Sequence, residues 1–173
     1  MVRIVISPNF FIDSEIDGKI MKEYDKDDLN TKILVYQDRV KGWFLDIAQS
    51  LRDNQHAGFV VLMIAISQIE GIEQFKLGRR TEFSESSTYI KKALKKILDP
   101  NLQYQNNTLY EDALDTIIRD VRHGLFHDGI TRKKIFINAS VAYPLIITQG
   151  REEILINPHY FYDNVKAYFE EYI

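Results

Sequence analysis

The stretch Ala57-Gly58-Phe59-Val60-Val61-Leu62-Met63-Ile64-Ala65-Ile66-Ser67-Gln68-Ile69-Glu70-Gly71-Ile72-Glu73-Gln74-Phe75 decides how this chain is organised. Its first half, 57–66, carries no charged or amide side chain. A helix with no polar face has to be surrounded by protein, so 57–75 is expected as the central helix of a bundle. The apolar run itself is much shorter than the roughly 20 residues needed to span a membrane. Glu70 and Glu73 bring the first charges near its end, and Gly78 supplies a stop.

On the N-terminal side, Ile33, Tyr36, Val40, Trp43, Phe44, Ile47 and Leu51 recur at three- and four-residue spacing, the inward stripe of a long amphipathic helix from 31 to about 52. Before it, 2–6 alternates like a strand or extended arm, and 13–28 is a charged loop around Gly18. On the C-terminal side, Ser84 to Ser87 offers caps for a helix over 88–98. There Tyr89, Ile90, Ala93, Leu94, Ile97 and Leu98 face inward and Lys91, Lys92, Lys95 and Lys96 outward; Asp99-Pro100 ends it. Thr108 with Glu111 makes a capping box for a fourth helix burying Leu114, Ile117, Ile118, Val121 and Leu125. After Gly129 the period drops to two around 134–138, 145–148 and 153–156, which predicts a small antiparallel hairpin or three-stranded sheet with Gly150 in its last turn. Asn157-Pro158 then opens a helix over 160–172. The expected fold class is mainly α: a four-helix bundle with a small antiparallel β element and a C-terminal helix.

With 173 residues, 45% hydrophobic and 27% charged, the chain is expected to form one soluble domain over 1–173. Its parts would be an arm and charged loop (1–30), a helical core (31–129), and a β element with closing helix (130–173). The absence of cysteine excludes disulfides, zinc-thiolate sites and a cysteine nucleophile, and fits a cytoplasmic location. The first eight residues turn polar too quickly for a secretory signal. The net charge of −3 is unevenly spread: 76–134 carries 12 basic and 8 acidic side chains, against 8 and 12 in 1–75 and 2 and 5 in 135–173. A locally basic stretch attracts phosphate even on an acidic protein, although ordinary solvated helix faces produce the same imbalance.

Chemistry concentrates in one place within that basic stretch, Arg119-Asp120-Val121-Arg122-His123-Gly124-Leu125-Phe126-His127-Asp128-Gly129. A guanidinium neutralises phosphate charge and an imidazole moves protons near neutral pH, so together they can cleave RNA without a metal. In an ideal α-helix five residues rotate by about 140°, which would point Arg122 and His127 apart. Either the helix loosens, as Gly124 and Gly129 would allow, or a second subunit supplies one of them. Arginine and histidine also favour the last turn of any helix because they complement its dipole. His123 and His127 have the spacing of two metal ligands, but only Asp128 stands nearby, and His56 and His159 are remote in sequence; neither a metal nor a cofactor is expected. Arg119 and Lys133 are further candidate phosphate contacts. The aromatic residues Tyr160, Phe161, Tyr162, Tyr168, Phe169 and Tyr172 could stack bases, or form core or subunit interface.

The segment 122–129 resembles the arginine-x4–6-histidine signature of the HEPN superfamily (higher eukaryotes and prokaryotes nucleotide-binding domains). It stands on a late helix of an all-α core, and His123 supplies the polar residue after the arginine. The resemblance implies a homodimer whose signature helices meet in one composite cleft. It implies either a metal-independent endoribonuclease leaving cyclic phosphate ends, of a prokaryotic defence or toxin type, or a non-catalytic module binding nucleotide, RNA or a protein partner such as an antitoxin or regulator. No membrane partner is implied. By the same resemblance Arg122 binds the scissile phosphate, His127 acts as general base or acid at the ribose 2′-hydroxyl, and His123 assists. Some members carry an acidic or polar residue on the second helix near the cleft. Glu70 and Glu73 are the candidates here, and both also suit the solvated end of a buried helix.

Overall fold

A computed structural model describes residues 4–12, 22–25, 27–80, 82, 85–98, 107–132, 135–148 and 153–173, the side chains of 22–23 and 107–109 excepted. Most of the expected charged loop lies outside these residues, as do Ser84, Asp99-Pro100, Lys133, Gly150 and the side chain of Thr108. The protein is mainly α, with two small three-stranded sheets. By backbone contacts it divides into two compact units, Met1–Ser50 and Leu51–Ile173. The division between the units falls at Ser50, after the first long helix.

In the first unit, β1 (Ile4–Ser7) and β2 (Phe10–Ile12) pair antiparallel with a register shift between Val5 and Ser7. β3 (Lys22–Glu23) runs parallel to β2. The Asp38 carboxylate on α1 (Leu29–Val40) ties the hairpin down. It accepts from the Ser7 hydroxyl at 2.6 Å, the Asn9 N–H at 2.7 Å and the Asn9 amide at 2.6 Å. Burial alone would push this carboxyl up, but the three donors hold it below its usual range. At the start of α1, Asp28 accepts from the backbone N–H groups of Asn30 and Thr31, an N-cap.

The expected stripe on this first helix is corrected halfway along. Tyr36 and Val40 are buried, but Ile33, Trp43 and Ile47 are exposed, and Leu45 and Ala48 are buried instead. Between α1 and α2 (Asp46–Ser50) the backbone passes through a π-helical turn, Lys41–Leu45. Bonding i to i+5 inserts an extra residue into the turn. The face read from regular spacing is therefore out of phase beyond Val40.

The second unit is built on α3 (Gly58–Leu77), which packs along α6 (Pro158–Tyr172) and against α4 (Ser86–Ile97). α4 also packs on α6 and on α5 (Asn107–Thr116). Along α3, Val61, Leu62, Ala65, Ile66, Ile69 and Ile72 are buried, and the helix ends on Gly78 at φ 65°. By length and composition alone α3 could cross a membrane; its apolar side chains are used in this core. It is not enclosed on every side as expected, since Val60 is 45% exposed. C-terminal α6 is part of the same core: Phe161, Tyr162, Val165 and Phe169 are completely buried. Asn157 caps α6 through its side-chain oxygen, while its amide donates to the carbonyls of Ala139 and Val141 at 2.9 and 2.7 Å.

The expected antiparallel β element proves to be mixed. β5 (Leu145–Thr148) and β6 (Glu153–Ile156) form the expected antiparallel hairpin, but β4 (Ile135–Ile137) runs parallel to β6 on its other edge. The connection over 138–144, pinned by Asn157, is long enough to carry the chain from one edge of β6 to the other. A period-two pattern reports which face is buried and not which neighbour a strand takes.

Candidate active site

α5 does not remain an α-helix. From Ile117 the chain winds as two π-helical segments, π1 (Ile117–Arg122) and π2 (Gly124–Asp128), joined at His123 and ended by Gly129 at φ 70°. The expected stripe holds through this change: Leu114, Ile117, Ile118, Val121 and Leu125 are all buried. An i-to-i+5 bonded turn holds more residues than an α-turn. The widened backbone thus lessens the divergence that an ideal helix would impose on Arg122 and His127. π-Helical turns are rare and occur mostly as single turns at functional sites.

Gly124 explains how the next segment covers this backbone. A side-chain carbon there would come within 2.5 Å of the Ile130 carbonyl oxygen and 3.3 Å of the Arg132 nitrogen. Only glycine lets the chain after Gly129 return so closely. The returning Arg132 N–H donates to the Asp120 carbonyl at 3.1 Å, and its guanidinium pairs with Asp128.

Arg122 is half-buried and reaches across to α3, where its Nη2 donates to Glu70 Oε2 at 2.5 Å. Each of the two side chains is 25% exposed. The other Glu70 oxygen, Oε1, accepts from the Ser86 hydroxyl at 2.6 Å. One carboxylate therefore joins the widened helix, α3 and the first turn of α4. Directly after Arg122, the ring of His123 stacks on that of His127, with centroids 5.8 Å apart and 19° between planes. His127 is exposed and His123 half-buried.

The remaining candidates sit as follows. Arg119 is clamped by the buried Asp120, donating from Nη2 at 2.7 Å and from Nε at 3.1 Å, and this bond raises the guanidinium's pKa further. Its charge is partly spent inside the protein. Asp128 is held below the usual carboxylate range, first by its bond to Arg132 and also by the charges of Arg132 and His127. Lys133 lies outside the described residues. Glu73, the second candidate helper, is directed elsewhere: it is buried and accepts from the Tyr168 hydroxyl of α6 at 2.5 Å, with Lys76 at 3.5 Å. Of the lysine face on α4, Lys91 pairs with Glu111 and Asp115, and Lys95 with Glu111. Among the described residues no group of three or more histidine, aspartate or glutamate side chains could hold a metal ion.

Reading the sequence alone missed Ser86, Asp120 and Arg132. Ser86 stands in a run of cap-type residues, and nothing in its spacing points to a carboxylate sixteen positions earlier. Compared with protein-family models, with curated proteins and with solved structures, the chain matches none.

Proposed function

We propose that this protein is a HEPN-like, metal-independent endoribonuclease of a prokaryotic defence or toxin type, cytoplasmic and active as a homodimer around a composite Arg/His cleft. The observation that carries this reading is the Arg122–Glu70 ion pair, followed directly in the chain by the stacked His123 and His127 rings. The pair keeps a quarter-exposed guanidinium oriented on the same widened helix as the two imidazoles. In the reaction, a ribose 2′-oxygen attacks the adjacent phosphorus and the bond to the 5′-oxygen breaks, leaving a 2′,3′-cyclic phosphate and a 5′-hydroxyl. His127 takes the 2′-hydroxyl proton, with water protonating the departing 5′-oxygen, or delivers that second proton itself while water takes the first. Arg122 neutralises the charge growing on the phosphate oxygens, and His123 makes a second polar contact.

The test is incubation of the purified protein with mixed RNA in EDTA. Cyclic-phosphate products that disappear with Arg122→Ala and His127→Ala support the enzyme. RNA that is bound but left intact shifts the reading to a non-catalytic HEPN-like module, and neither binding nor cleavage ends both. Light scattering should give a mass near twice 20.3 kDa; a stable monomer removes the composite cleft.

A further inference from the structure

We infer that Ser86 is a positioning residue for Arg122, acting through Glu70; this rests on Arg122 being the phosphate-binding group proposed above. At a helix N-cap a side-chain oxygen normally satisfies the first free N–H groups. At α4 the serine stands one position inside the helix, and its hydroxyl is used elsewhere. Glu85, the residue before the helix, makes no side-chain cap bond, and pairs with Arg79 instead. Ser86 is 8% exposed and gives its hydroxyl proton to Glu70 Oε1. That bond lies on the far side of the carboxylate from Arg122, which binds Oε2.

The geometry explains why the serine matters to a residue it does not touch. The last torsion of a glutamate is broad and two-fold, and a guanidinium bound to the carboxylate follows its rotation. The Ser86 hydroxyl, a donor fixed in a different helix, narrows that rotation from the Oε1 side and so constrains the plane in which Oε2 faces Arg122. Among the described residues Arg122 makes only the one hydrogen bond, through Nη2, so its other N–H groups are available for phosphate oxygens. Ser86 thereby determines the direction in which those remaining donors point. Misplacing a charged group by a fraction of an ångström costs rate more than affinity, because the charge it serves is largest in the transition state.

The experiment compares wild type with Ser86→Ala and Ser86→Thr, reading both RNA cleavage and the NMR signals of the Arg122 guanidinium. In Ser86→Ala, kcat should fall about ten-fold with KM changed less than about two-fold, the pattern of a lost transition-state interaction. The Arg122 Nη signals, kept distinct while Nη2 is held on Glu70, should merge toward a rotation-averaged one. Ser86→Thr, which keeps the hydroxyl, should restore both. The inference is overturned if Ser86→Ala leaves the guanidinium signal unchanged, or if Thr fails to rescue. A wild type that cleaves no RNA defeats the proposed function, whereas the NMR comparison still decides whether Ser86 orients Arg122.

Discussion

Two carboxylates stand one turn apart on α3 and meet opposite surroundings. Glu70 is a quarter exposed and shared between Ser86 and Arg122. Glu73 is buried, bonded to the Tyr168 hydroxyl, with the Lys76 ammonium 3.5 Å from the Tyr168 ring centroid. Burial and the bond to Glu73 push the Tyr168 phenol well above its ordinary value of 10.0. Both clusters tie helices together and both hold a cation that solvent reaches, Lys76 at 26% exposure and Arg122 at 25%, but the carboxylate itself is open to solvent only at Glu70, 25% exposed against 8% for Glu73. One turn of helix separates a group suited to chemistry from one suited to holding α6 in place. The difference lies in what packs over each, and not in the residue type.

The largest effect should come from the Glu70 cluster. Arg122→Ala is expected to lower kcat for RNA cleavage by about 10²–10³-fold, the loss typical of removing one charge-stabilising donor. Thermal melting should barely move, because the partly exposed partner can be rehydrated. A variant that melts early and still cleaves would reverse the comparison.

Glu73→Ala is expected to act the other way. It leaves the Tyr168 hydroxyl buried without its acceptor and should cost about 2–3 kcal/mol of stability in urea unfolding. Cleavage per folded molecule should be unchanged; if it falls with Arg122→Ala-like severity, the two clusters are not separate in function. Gly124→Ala should cost about 1–3 kcal/mol by overpacking, since the new methyl meets the Ile130 carbonyl oxygen at 2.5 Å. Unlike Glu73→Ala it should also reduce cleavage, because it disturbs the widened turn between His123 and His127. Unfolding titrations and RNA assays on the same variant check both.

The smallest effect is in pH. Tyr168 has a folded pKa above its unfolded one, so its contribution to stability is complete below 10.0 and is lost as pH rises from there toward the raised value. Urea midpoints should therefore decline above pH 10.0, and Tyr168→Phe should flatten that decline. Equal slopes in the two proteins would mean that the Glu73 cluster does not hold the phenol in its neutral form.

Much of the helical framework was readable because apolar spacing survives small changes of winding. Ile117, Ile118, Val121 and Leu125 are buried although the backbone widens beneath them, since three- and four-residue steps stay on one broad side of the helix. Trp43 and Ile47 show the limit: within and beyond the π turn at Lys41–Leu45 the same spacing led to exposed residues. The parallel edge taken by β4 was hidden because a strand's own pattern does not name its neighbour. In the candidate site, Arg122, His123 and His127 could be selected by residue type and spacing. The division of labour between Glu70 and Glu73 could not, as it depends on which helix lies over each turn of α3.

The sequence by itself determined a mainly helical chain, its apolar central helix, the end of that helix at Gly78, and the segment where arginine and histidine chemistry is concentrated. These are local properties, written in side-chain periodicity and in the backbone freedom of glycine. Only the tertiary structure decided that Arg122 faces Glu70, that Ser86 completes the carboxylate, and that Glu73 belongs to α6. Such pairings join positions sixteen, fifty-two and ninety-five residues apart, and side chains that distant meet only when whole helices pack.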